Sequence, residues 1–101
     1  MIKHIVCWQL HDQAEGKDKT TNASLIKAEL LALKELIPEI KSLEVGVNSS
    51  QADPNNYDVV LIAGFDSFDD LHRYREHPEH KRFVKLVSKL RSHRVAVDYK
   101  Q

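Results

Sequence analysis

A chain of 101 residues, 42% hydrophobic with 3 Gly and 3 Pro, is long enough to bury one core and too short to build two. Its 15 Lys and Arg balance 15 Asp and Glu, so no basic excess is present to neutralise phosphates, and nucleic acid is not an expected partner. The longest apolar run near the start, Ile5 to Trp8, is shorter than a signal-peptide core or a membrane span, so one soluble, cytoplasmic unit over residues 1–101 is expected, with no membrane partner.

Ile2, His4, Val6, Trp8 and Leu10 alternate with Lys3, Ile5, Cys7 and Gln9, which predicts a first strand whose second face is also partly apolar. The lone Cys7 cannot form an internal disulfide and reads as a packed thiol. The polar stretch His11 to Asn22 predicts a loop ending in the cap-type residues Thr20, Thr21 and Asn22. Ala23, Ile26, Leu30, Leu33 and Ile37 then recur at helical spacing until Pro38, predicting an amphipathic helix of about four turns. Leu43, Val45 and Val47 alternate with Ser42, Glu44 and Gly46 in a second strand, and Asn48 to Asn56 connects it to a third.

The third strand, Tyr57 to Phe65, carries Val59, Leu61 and Ala63 on one face and Val60, Ile62 and Gly64 on the other, so both faces need cover. Asp66 or Ser67 can cap a short helix through Leu71 and Tyr74, which must end at His77 because Pro78 disfavours α conformation there. Pro78 can open a new helix with an apolar stripe of Phe83, Val84, Val87 and Leu90, and Val95, Val97 and Tyr99 predict a last strand.

The order β, α, β, β, α, β predicts an α+β, ferredoxin-like protomer: a four-stranded antiparallel sheet with helices on one face and strands one and three in the centre. The uncovered face would expose Ile5, Cys7, Val60 and Ile62, and a homodimer joined sheet to sheet would bury them.

The segments MIKHIVCWQL, LIPEIKSLEVGVN, YDVVLIAGFDS and LHRYREHPEHKRF resemble the stress-responsive dimeric A/B barrel (Dabb) domain over nearly the whole chain. The most specific piece is the Tyr-x-x-His-Pro-x-His string at Tyr74, His77, Pro78 and His80, supported by Lys3 and His4. The resemblance implies a dimeric α/β barrel. Most members have no assigned reaction, while a plant polyketide cyclase branch performs an aldol cyclisation, and its working residues map onto Tyr74, His80 and His4. Removing a proton beside a carbonyl needs a base titrating near neutrality and a donor for the enolate oxygen, which His80 and Tyr74 would supply without a cofactor. Val6, Trp8, Val59 and Leu61 are the expected pocket wall for a small apolar carbonyl ligand. A further histidine of the cyclase branch is replaced here by Val59, and aromatic pocket positions by aliphatics or Lys27, so the cyclase substrate does not carry over.

Other chemistries find less support. His72, Glu76, His77 and His80 match neither an H-E-x-x-H helix nor a Cys/His finger, so no metal is expected. His77 reads as a helix cap, and His72 and His93 as exposed residues. Two functional expectations follow: a homodimer that binds a small apolar ligand, or a small enzyme of cyclase or isomerase type.

Overall fold

The protein is described by a computed structural model covering Met1 to Gln101. The strands are β1 (Ile2–Leu10), β2 (Gln13–Ala14), β3 (Lys17–Asp18), β4 (Ser42–Val47), β5 (Val59–Phe65) and β6 (Arg91–Lys100). The helices are α1 (Lys19–Leu36), α2 (Phe68–Glu76) and α3 (Pro78–Ser88). One antiparallel sheet has the order β4-β5-β1-β6, with the first and third predicted strands central, and β2 and β3 form a separate small hairpin. This is the ferredoxin-like α+β arrangement.

Strict alternation sorts the central strands. Ile2, His4, Val6, Trp8 and Leu10 are buried beneath the helices together with Val59, Leu61, Ala63 and Phe65. Ile26, Leu30, Leu33 and Ile37 bring α1 onto that face, and Leu71, Tyr74, Phe83 and Val87 bring α2 and α3. On the opposite face stand Ile5, Cys7, Val60 and Ile62. Beside them on β6 are Val95, Val97 and Tyr99, at 51%, 55% and 43% exposure, so this apolar surface is broader than the sequence suggested.

The first helix begins earlier than expected. Asp18, not one of Thr20 to Asn22, is its N-cap, accepting the Thr21 N–H at 2.8 Å. Asn22 is instead buried inside the first turn, where its amide donates to the Ala14 and Lys17 carbonyls and ties α1 to the hairpin. The loop before it contains that hairpin because Glu15 and Gly16 both adopt positive φ, at 52° and 76°, as a two-residue turn of the twist-matched kind requires. The third strand starts at Val59 rather than Tyr57. Asp58 turns its carboxylate to the Leu10 N–H at 2.8 Å, pinning the strand's entry to the end of β1.

The break at His77 follows the expectation. His77 closes α2 in extended conformation and caps α3, its Nδ1 accepting the Glu79 N–H at 3.1 Å, with Pro78 in the first helical turn. The two helix axes therefore restart at a point that brings Tyr74 and His80 together.

Candidate functional site

Tyr74 lies in the last turn of α2 and His80 in the first turn of α3, and their ring centroids are 4.3 Å apart. The C-terminal carbonyls of a helix lack intrahelical partners, and His80 Nδ1 takes one of them, Arg75 O, at 3.2 Å. A carbonyl can only accept, so Nδ1 carries the proton and the other ring nitrogen, Nε2, keeps its lone pair. Burial lowers the His80 pKa below the ordinary histidine value, the Arg75 hydrogen bond only partly opposing it, and the charges of Arg75 and Arg94, with that of His4 when it is protonated, act in the same direction as burial.

His4 reaches the same place from β1. Its Nδ1 lies 2.5 Å from Asp98 Oδ1 on the adjacent strand β6, where the two residues are register partners. The other carboxylate oxygen, Oδ2, accepts from the Arg75 guanidinium at 2.7 Å. A carboxylate likewise only accepts, so His4 too holds its proton on Nδ1 and leaves Nε2 open. Burial lowers the His4 pKa although Asp98 pulls it up, and the ring is neutral at pH 7. For Asp98, desolvation works upward but is outweighed by His4 and Arg75, and the carboxyl titrates below its usual range.

Tyr74 completes the group. Its ring meets His4 edge-on at 6.0 Å and Phe65 at 5.1 Å, and the residue is 1% exposed. Burial pushes its pKa well above the usual phenol value, against the pull of Arg94 and Arg75, so the hydroxyl keeps its proton. That hydroxyl makes no hydrogen bond within the protein. The only sealed side-chain polar atoms lacking a partner are Trp8 Nε1 and Asn22 Oδ1, so the Tyr74 oxygen opens onto a space that water or a ligand can reach.

That space is a cavity of about 390 Å³ lined by His4, Tyr74 and His80, with Val6, Trp8, Leu61, Phe83 and Val87 as apolar wall. The expected group Tyr74, His80 and His4 is thus assembled, and Val6, Trp8 and Leu61 line it. Val59 does not: it is buried in the core beside Trp8. Sequence reasoning missed Asp98, Arg75, Arg91 and Arg94. One signal was available for Asp98 and Arg94, since they alternate with Val95, Val97 and Tyr99 and so fall on the helix-side face of β6, beside His4 and Trp8. The helices pack over β4, β5 and β1 and leave β6 largely bare, with Arg94 and Ala96 exposed.

The fold defines an α+β protein of the ferredoxin-like class. The family model described as Stress Responsive A/B Barrel Domain (Dabb) matches residues 2–101, and the chain belongs to that family. A dimeric protein of unknown function and ferredoxin-like fold from Bacteroides fragilis superposes with TM-score 0.85 at 32% identity, covering 99% of this chain and 95% of its own. A dimeric ferredoxin-like protein of unknown function from Thermobifida fusca gives TM-score 0.83 at 26% identity, covering 99% and 90%. The hydroxynitrile lyase from Passiflora edulis shares the fold with TM-score 0.76 at 18% identity, covering 97% and 90%. No curated protein matches the chain. The dimeric state of these neighbours supports a homodimer here. No helix is long and apolar enough to cross a membrane.

Proposed function

We propose that this protein is a cofactor-independent proton-transfer enzyme acting on a small, largely apolar carbonyl compound, of cyclase or isomerase type. One observation carries the reading: the hydroxyl of the buried Tyr74, which has no protein partner, opens onto a cavity lined by two imidazoles, each tied through Nδ1. The two imidazoles are fixed in orientation through Nδ1 and, like the Tyr74 hydroxyl, left free on the cavity side, as acid–base groups acting on a ligand need to be. Tyr74 donates to the carbonyl oxygen and stabilises the enolate as charge develops there. His80, the imidazole closer to Tyr74, takes the proton from the adjacent carbon through Nε2. The imidazolium of His80 then returns that proton to the product, which restores the neutral base, while His4, held by Asp98 through Nδ1, offers its unprotonated Nε2 as a hydrogen-bond acceptor on the cavity wall.

Proton exchange at the activated carbon of 1,3-dicarbonyl and thioester compounds, followed by NMR in deuterated buffer, tests this. Tyr74→Phe and His80→Ala should each slow exchange by about 10² to 10⁴ while the fold is kept. Equal rates for wild type and both variants with every compound bound would leave a ligand-binding homodimer without catalysis.

The homodimer is inferred to form through the open sheet face. Ile5, Cys7, Val60 and Ile62 join Val95, Val97 and Tyr99 in one apolar surface that a second copy, bearing the same patch, can cover by two-fold symmetry.

A further inference from the structure

We propose that the substrate of this cavity carries an anionic end group, a carboxylate or a phosphate, that docks on Arg91 and Arg94 while its carbonyl portion reaches Tyr74. The inference rests on the proton-transfer reading only in taking the cavity as the substrate site.

The observation is the distribution of charge partners. Arg73 pairs with Asp70, Arg75 with Asp98 and Arg82 with Glu79. The remaining arginines, Arg91 and Arg94, have no carboxylate partner, and both line the cavity. No carboxylate lines it with them, because Asp98 is turned to His4 and Arg75. Arg94 is close enough for its positive field to act on His4, Tyr74 and His80 alike.

The two arginines come from β6, the strand that no helix covers, and the reacting groups come from β1, α2 and α3. The site is therefore polarised: the imidazoles and the phenol stand on the β1 and helix side, where the Arg75 guanidinium is already paired with Asp98, and two unpaired guanidinium groups stand on the β6 side. An anionic group entering there gains charge-assisted hydrogen bonds to planar donors. It would also anchor one end of the ligand, fixing the carbonyl relative to Tyr74 and His80.

Binding of straight-chain oxo acids from 4-oxopentanoate to 9-oxodecanoate, their methyl esters and the corresponding terminal phosphate monoesters can be measured by titration calorimetry on the intact protein. At least one acid or phosphate should bind about 10-fold more tightly than its ester, the scale of one hydrogen bond to a charged group. Comparing acids with phosphates identifies which anion is preferred. The preference should vanish in the Arg91→Gln, Arg94→Gln double variant, with ester affinity and circular dichroism unchanged, and shrink as salt rises from 50 to 300 mM. Tyr74→Phe should keep it. Equal affinity of acid, phosphate and ester in the wild type, no binding of any acid or phosphate, or a preference that survives the double variant, overturns the proposal. Anion preference without proton exchange would uphold the anion site and refute the catalytic reading, and exchange without anion preference would do the reverse.

Discussion

Acidification should destabilise this protein through its buried imidazoles well before its carboxylates titrate. His4 is 2% exposed and its folded pKa is lowered by burial, and His80 is lowered for the same reason. In the unfolded chain both return to about 6.5. A depressed folded pKa means that the unfolded state binds more protons below pH 6.5, so stability is fully present above that value and is lost as pH falls toward the folded pKa. The steepest possible loss is about 1.4 kcal/mol per pH unit for each imidazole. His80 should contribute the smaller part because its ring is partly in contact with solvent. Asp98 is lowered too, but its contribution disappears only below about pH 3.9, so the two effects occupy separate windows.

The assay is urea unfolding at fixed protein concentration, at half-unit steps from pH 7.5 to 5.0. His4→Gln is the matched control: its amide can still donate to Asp98 but does not titrate. The wild type should lose stability steadily below pH 6.5, and His4→Gln should lose distinctly less over the same range. A flat wild-type profile down to pH 5.0 would refute the neutral, buried assignment of His4. So would an unchanged slope in the variant.

Two further perturbations address the assembly and the helix break. Val60→Asp places a carboxylate on the apolar sheet face, where an unpaired buried charge costs several kcal/mol, and sedimentation should find monomer or unfolded chain where the wild type is dimeric. His77→Ala removes the side-chain acceptor of the Glu79 N–H and should cost about 1 kcal/mol in urea unfolding, with no effect on proton exchange by the cavity, since its ring is committed to the cap.

Where periodicity was strong, the fold was legible. The alternation of Ile2 to Leu10 gave β1 and its two faces, and Pro78 gave the break between α2 and α3 with His77 as cap. The start of α1 was misplaced because several cap-type residues compete there. Only the tertiary contacts of Asn22, to carbonyls of a hairpin formed by the preceding residues, draw it inside the helix. The site was half legible for a related reason. Tyr74 and His80 are close in sequence, and a local break brings them together, whereas Asp98 meets His4 across 94 residues through strand pairing. Composition does not encode that pairing; the order of the strands and their register do.

If a second copy covers the open face as proposed, the same pairing ties the site to that interface. Along β1, His4, Val6 and Trp8 face the cavity while Ile5 and Cys7 face away; along β6, Arg94 and Asp98 face the cavity side while Val95, Val97 and Tyr99 face away. Strand β1 is held by β5 on one side and by core packing above it. Strand β6 has neither a second neighbouring strand nor a helix over it, so its hold on the protomer is its hydrogen bonding to β1 and the side chains it shares with the cavity. An edge strand with this much exposed apolar surface is unfinished in a monomer. Covering Val95, Val97 and Tyr99 with a second copy would restrict the strand that carries Asp98, Arg91 and Arg94. The orientation of His4, set by Asp98, would thereby be coupled to assembly without any residue of the partner having to enter the cavity.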